Sequence, residues 1–345
     1  MNGRRVFPGS SSMRSLYLLL CVAAAAVATL TTDPSGLKDG LYVESANIVG
    51  EDFFSAFAWQ AITDPTHARV NLTDQATARA LNLSYATRDS FVMRMDSTTV
   101  LDPSGPGRNS VRIISNASYT THVAVFDIRH MPAGCGTWPT IIEVALDGSL
   151  AKGKADIVEG INNNGTNQAT LHTTADCFVN PQSHTTSTGT TVSTNCDDVA
   201  TASGGCGVRA PSNTPNFGPA FNDAGGGWYA YERAINTTRV WFWARHSLTV
   251  PLDVRFNLGL VETALWGKPF ALWTNAGCDL SSHFGPNNIV FKNNICGDWA
   301  GVQENYSGAG CPGTCTDLAN AHPEAFAEAY WDLAALRIYE PRAAQ

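Results

Sequence analysis

Apolar and polar residues alternate in short runs along most of this chain. Phe91-Val-Met-Arg-Met-Asp, Ser110-Val-Arg-Ile-Ile, His122-Val-Ala-Val-Phe-Asp-Ile and Arg239-Val-Trp-Phe-Trp-Ala-Arg place every second side chain on one face, the period of a half-buried strand. Leu336-Arg-Ile-Tyr adds another near the end. Between the runs lie turn-forming clusters such as Asp102-Pro-Ser-Gly-Pro-Gly, Asn162-Asn-Asn-Gly and Ala224-Gly-Gly-Gly. A helical pattern is confined to the short Pro323-Glu-Ala-Phe-Ala-Glu-Ala-Tyr-Trp. Many strands punctuated by turns predict an all-β sandwich or barrel. No linker, charge block or repeat divides the chain after about Thr31, so one domain over residues 29–345 is expected. The stretch from Thr185 to Pro219 has the composition of a disordered loop. Cys196 and Cys206 inside it predict instead a stapled, ordered surface excursion.

The chain begins differently. Arg4, Arg5 and Arg14 precede an unbroken apolar run of 13 residues, Leu16 to Ala28, ending in small residues. That run is too short to span a bilayer by about seven residues, so a secretory signal peptide over residues 1–28 is expected, with no membrane anchor after its removal. The address predicted is secreted and extracellular. Its removal takes Cys21 away and leaves eight cysteines (135, 177, 196, 206, 278, 296, 311 and 315), which read as about four disulfides. Six sequons, at Asn71, Asn82, Asn116, Asn164, Asn236 and Asn305, offer N-glycan acceptors. The net charge of −8 becomes −11 once the three leading arginines are removed. Such a field repels polyanions, so nucleic-acid binding is excluded.

Several site types are absent. There is no His-Glu-x-x-His, no Gly-x-Ser-x-Gly elbow, and Gly105-Pro-Gly-Arg-Asn lacks the Lys-Ser/Thr of a phosphate loop. Cys311-Pro-Gly-Thr-Cys315 has no second ligand pair for zinc, which favours disulfide bonding. The aromatic residues (9 Trp, 9 Tyr, 15 Phe) exceed what a sandwich core needs; most are expected in the core and some as platforms for sugar rings. One acidic constellation remains, Lys154-Ala-Asp-Ile-Val-Glu159. Strict alternation puts residues 154 and 156 on one face and 159 on the other, and a one-residue bulge returns Glu159 to the first.

Sequence blocks along nearly the whole chain resemble glycoside hydrolase family 16, in its fungal laminarinase-like, endo-1,3(4)-β-glucanase branch. They are Asp102-Pro-Ser-Gly-Pro-Gly-Arg-Asn-Ser-Val-Arg-Ile, Gly134-Cys-Gly-Thr-Trp-Pro, Asp156-Ile-Val-Glu-Gly and Asn167-Gln-Ala-Thr-Leu-His-Thr, then Gly225-Gly-Gly-Trp-Tyr-Ala, Ser282-His-Phe-Gly-Pro-Asn-Asn-Ile-Val, Cys296-Gly-Asp-Trp-Ala-Gly and Ala329-Tyr-Trp-Asp-Leu. The resemblance runs from about residue 40 to 340. It implies a single concanavalin A-like β-jelly-roll sandwich with a glucan cleft on its concave sheet. It also implies retaining endo-hydrolysis of β-1,3 or β-1,3/1,4 glucan by a monomer without a cofactor. Asp332 is a candidate ligand for a structural calcium on the convex face, as in parts of the family.

Retention requires two carboxyls roughly 5–5.5 Å apart, one nucleophilic and one alternating between acid and base. The family motif is Glu-x-Asp-x-x-Glu. By resemblance Glu159 falls on the acid/base, Asp156 on the carboxylate that orients the nucleophile, and Lys154 on the nucleophile itself. His172 falls on a cleft histidine contacting substrate, Trp299 on an aromatic cleft wall, and Arg112 on a group reaching a sugar hydroxyl. A lysine forms no glycosyl ester, and its charge is expected to deprive Glu159 of the raised pKa a general acid needs. Glu143 is a nearby carboxylate whose direction the sequence does not reveal. Two tryptophans that relatives place near Ile142 and near Ser149 or Leu150 are also missing, so all three departures fall within residues 141–154. Two readings follow: a glucan-binding protein with weak or no turnover, or an ordinary glucanase or wall transglycosylase whose coding sequence is altered over that stretch.

Overall fold

The computed structural model describes residues 40–179 and 186–342, together with Met1 and Gly3. The expected signal segment therefore falls, but for Met1 and Gly3, outside the described residues. Two antiparallel sheets face each other. The cleft sheet runs, in spatial order, Thr190–Thr191, Cys206–Arg209, Gln168–His172, Lys154–Glu159, Thr137–Val144, Asn287–Ile295, Arg112–Tyr119 and Phe57–Trp59. The back sheet runs Leu260–Glu262, Leu41–Ile48, Tyr330–Pro341, His122–His130, Gly227–Arg233, Thr237–Ala244 and Ala271–Thr274. Ser90–Arg94 and Ser84–Thr87 join it alongside Tyr330–Pro341. Each of the five alternating runs lies wholly or largely within a strand.

Alternation explains why the sheets pack. From the cleft sheet Ile113, Ile141, Ala155, Leu171 and Phe291 point inward, and from the back sheet Phe91, Phe126, Tyr229, Trp273 and Leu336 meet them in one cluster. Burying a side chain of this size contributes roughly 1.5–3 kcal/mol. Trp228, Trp241, Trp243 and Trp266 form a second cluster with Val250, Val254 and Val261, and Trp241 and Trp243 each meet Trp266 edge to face. Trp273 and Trp331 fill the central core, so most tryptophans are structural, as the sequence reading expects.

The predicted helix at residues 323–331 is not one. Pro323–Phe326 makes a single 3-10 turn and Tyr330 already starts a twelve-residue strand. The reason is tertiary: Trp331 and Leu333 are buried between the sheets, which overrides the alanine-rich helical propensity. Some of the short helices that the pattern did not reveal begin at side-chain caps. Asp74 accepts from Thr77 N at 2.7 Å ahead of Gln75–Ala80, and Thr314 accepts from Asp317 N at 3.1 Å ahead of Cys315–Ala321.

The eight cysteines other than Cys21 pair: Cys135–Cys311, Cys177–Cys278, Cys196–Cys206 and Cys296–Cys315. Cys311 and Cys315 are thus disulfide-bonded, each to a different distant partner. Cys196–Cys206 staples the Ser/Thr-rich excursion, described here over residues 186–219. Of the sequon asparagines five are exposed and Asn305 is half-buried, its Nδ2 donating to Trp299 O at 3.0 Å.

Candidate active site

The expected bulge is present. Asp156 pairs with Ile142 and Val158 with Ile141, so one residue of Lys154–Glu159 is extra in the ladder. Ile157 and Val158 consequently both turn into the core, and Glu159 comes back to the face of Lys154 and Asp156. Asn167 holds this kink: its Oδ1 accepts from Glu159 N at 2.8 Å and its Nδ2 donates to Ile157 O at 2.9 Å. The backbone groups a bulge would leave unpaired are satisfied by one amide.

Above this face lies a cleft of about 650 Å³ lined by Trp138, Lys154, Asp156, Glu159, His172 and Trp299, among others. Its far wall is the stapled excursion, through Val192, Ser193 and residues 201–205. Gly205, at φ +55°, lets that wall approach; a Cβ there would lie 2.5 Å from Leu171 O and 2.9 Å from His172 Nδ1. A segment that composition marks as a loop therefore builds one side of the site.

The charged groups form a chain. Lys154 Nζ lies 3.2 Å from Asp156 Oδ2, and His172 Nε2 lies 2.7 Å from the same oxygen. His172 Nδ1 is 2.8 Å from Asp198 Oδ1, on the excursion. Burial pushes the Asp156 carboxyl up, but Lys154 and then His172 outweigh it and hold Asp156 at about 2. Burial pulls the Lys154 ammonium down, yet Asp156, Glu159 and Asp198 together lift it above its ordinary value. His172 is likewise raised: burial and Lys154 oppose its charge, and Asp156 and Asp198 prevail. Glu159 accepts from Trp138 Nε1 at 3.0 Å, and burial followed by the Asp156 charge raises it to about 7. The expectation that Lys154 strips Glu159 of a raised pKa is overturned. The ammonium does lower it, but desolvation and Asp156 are stronger, and much of the Lys154 charge is spent on Asp156.

The other expected residues separate. Trp299 is half-buried on the cleft rim and meets Trp138 edge to face at 5.8 Å. His172 has both ring nitrogens on carboxylates, so it braces Asp156 rather than presenting a free N–H to a sugar. Arg112 shares the row Glu159, Thr140, Lys292, Arg112 across the sheet, three strand spacings or roughly 14 Å from Glu159. Its Nε donates to Gln60 Oε1 at 2.7 Å, and it is not brought together with the other residues. Glu143 faces Ala155 in the ladder, points into the interior and is fully buried, 2.6 Å from His122 Nε2, so it is no substitute nucleophile. Ile142 packs with Ile114, Val144 and Val290, an aliphatic patch where relatives are expected to present a tryptophan.

Trp138, Asn167 and Asp198 were not singled out as site residues. Trp138 stands in the block Gly134-Cys-Gly-Thr-Trp-Pro and shares the strand parity of Thr140, which was the available signal. Asp198 carried none. Asp332 accepts from Ser90 Oγ, and among the described residues no group of three ligating His, Cys, Asp or Glu side chains includes it.

A two-sheet jelly roll with carboxyls and tryptophans gathered along one open cleft is the architecture of a carbohydrate-active sandwich. Residues 57–339 match the XgeA-like, catalytic GH16 domain, and the chain belongs to glycoside hydrolase family 16. It is 36% identical over 293 residues to a probable glycosidase of Schizosaccharomyces pombe, covering 84% of this chain and 67% of that one. A probable endo-1,3(4)-β-glucanase of Aspergillus niger is 35% identical over 304 residues, covering 84% of this chain but 39% of that one. The chain spans about half the length, or less, of most curated relatives of this kind. Among solved structures, laminarinase 16A from Phanerochaete chrysosporium, with 6-O-glucosyl-laminaritriose in donor and acceptor sites, superposes with a TM-score of 0.85 at 49% identity, covering 87% of this chain and 100% of that one. An elongating family 16 β-1,3-glucosyltransferase gives 0.79 at 31% identity, covering 86% and 99%.

Proposed function

We propose that this protein binds β-1,3 or mixed β-1,3/1,4 glucan along the cleft and turns it over weakly or not at all. The observation carrying this reading is the ion pair of Lys154 with Asp156 at 3.2 Å, an ammonium where a retaining glycosidase requires a carboxylate. Without a covalent nucleophile Glu159 has no intermediate to form or release. Asp156, Glu159 and Trp299 remain as a recognition surface. Relatives named as β-glucanases and a neighbour holding β-glucan oligosaccharides support the ligand class.

A second reading has its own support. Glu159 keeps a pKa of about 7, suited to a general acid at neutral pH, which is what an active endo-1,3(4)-β-glucanase or a transglycosylase with Glu at 154 would use. Secretion with signal cleavage and N-glycosylation are part of the proposal; four disulfides and five exposed sequon asparagines support them. The test pairs calorimetric titration with laminarin against product release by the same sample, after the transcript is sequenced across residues 135–165. Saturable binding without release is expected. Release at ordinary glucanase rates, or a Glu codon at 154, sinks the binding-only reading.

A further inference from the structure

Residues 245–259 leave the strand Thr237–Ala244 near one side of the back sheet and cross its outer face to the opposite edge strand, Leu260–Glu262. Residues 263–270 cross back to Ala271–Thr274. The inward side chains of this strap, Val250, Val254, Val261 and Trp266, are buried against Trp228, Trp241, Trp243 and Tyr339 of the sheet. Polar contacts tie it down as well. Trp266 Nε1 donates to Asp253 Oδ2 at 2.9 Å, Arg337 Nη1 to Val254 O at 3.0 Å and Tyr339 Oη to Asn257 Oδ1 at 2.9 Å. The outward side chains are apolar too. Leu248 is 95% exposed, and Leu252, Phe256, Leu258, Leu260 and Leu265 are 37% to 73% exposed.

Six side chains at these exposures offer on the order of 400 Å² of apolar area. A standard interface buries about 800 Å² on each partner, somewhat over half of it apolar, so the strap holds the apolar content of one such interface. Because the strap is held from beneath, its surface is ordered before anything meets it, which lowers the entropy cost of association. Its chemistry selects the partner. The indoles that would stack on a sugar ring or sit among lipid headgroups are sealed beneath it. Within residues 246–268 Arg255 and Lys268 balance Asp253 and Glu262, which gives an anionic membrane no excess of cations to hold. The same balance suits a second copy of this chain. A net charge of −8 makes copies repel overall, but at the strap both signs are present, and a two-fold axis sets opposite signs across from each other. None of the six sequons falls within residues 246–268, so no glycan would grow from this surface.

We propose that the strap is the interface of a two-fold homodimer, in place of the monomer that the resemblance implies. The cleft opens on the outer face of the other sheet, so back-to-back pairing points two clefts away from each other. One dimer then bridges two glucan chains and gains avidity without a new contact in the cleft. The bridging rests on the glucan-binding reading above; the pairing does not.

Sedimentation velocity of the protein as secreted, from about 0.1 to 100 μM, tests the pairing. A monomer–dimer equilibrium is expected, and Leu252→Asp combined with Leu258→Asp should weaken it by about tenfold or more at an unchanged melting temperature. Should that double variant not fold, Leu248→Lys, at the most exposed position, is expected to weaken it in the same direction. A wild type that stays monomeric over that range, or a dimer unmoved by these variants, overturns the proposal. So does flotation of a monomer with phosphatidylcholine vesicles, which assigns the strap to a lipid surface. Laminarin-coated beads read the bridging. The wild type is expected to agglutinate them, and the double variant to bind laminarin with unchanged calorimetric affinity but leave the beads dispersed. A dimer that binds laminarin without agglutination overturns the bridging and leaves the pairing. Failure of every form to bind laminarin overturns the glucan reading, again leaving the pairing.

Discussion

The two ends of one strand, Lys154 and Glu159, share a face, a cleft and a central carboxylate, yet their chemistry diverges. At the Glu159 end burial and the Asp156 charge act together, and the carboxyl rises to about 7. At the Lys154 end burial and the Asp156 charge oppose one another, and the ion pair wins. The same neighbour keeps one group proton-bearing and the other permanently charged. A carboxyl with the raised pKa that a general acid needs stands beside a lysine that forms no glycosyl ester, so proton affinity and nucleophilicity are separable features of this site.

The comparison breaks most sharply at residue 154. Lys154→Glu is expected to yield laminarin hydrolysis with retained configuration, a gain of several orders of magnitude, since losing a covalent nucleophile costs on the order of 10⁶-fold. Proton NMR of the nascent anomer reads it. A folded variant that stays inert would place the defect in the missing tryptophan platforms instead. In that background Glu159→Gln should remove about 10²–10⁴-fold, and the alkaline limb of the profile should fall at or above pH 7, because the acid must be protonated and a carboxylate at 154 favours the proton further.

Removing the shared carboxylate tests the two ends together. Asp156→Asn leaves Lys154 and His172 near each other without their counter-charge and is expected to destabilise by about 3–5 kcal/mol, read as a lower melting temperature. The pH dependence of stability has opposite signs at the two carboxyls. Asp156, held at about 2 against an ordinary 3.8, contributes stability that is present above that ordinary value and lost as the pH falls toward 2. Glu159, ordinarily near 4.5 and raised to about 7, costs stability progressively as the pH rises across that interval. Melting curves from pH 2 to 8 should therefore show a maximum between them, and Glu159→Gln should flatten the upper side. The smallest effect belongs to the rim: Trp299→Ala should weaken laminarin binding by roughly two- to tenfold, the worth of one aromatic contact.

Much of this was legible in the sequence because it rests on local period and local chemistry. Period-two runs identified strands, the even cysteine count four disulfides, and the spacing of Lys154, Asp156 and Glu159 the bulge that brings them to one face. The resemblance carried the family and Trp299 into the cleft. The segment at residues 323–331 misled because alanine-rich propensity is weaker than burial of Trp331 between two sheets.

What only the tertiary structure decided are matters of distance between residues remote in the chain. Glu143 and Asp198 are both carboxylates beside a histidine, yet one is sealed in the core on His122 and the other closes the cleft on His172. No local pattern separates them, because strand register and the stapled excursion set which face each side chain meets. The pKa of Glu159 was misjudged for the same reason. Sequence names the charge of Lys154, but only geometry shows that desolvation and the Asp156 charge together outweigh it at Glu159. Sequence determined which groups this protein owns; folding decided which of them share a dielectric, a partner and a ligand.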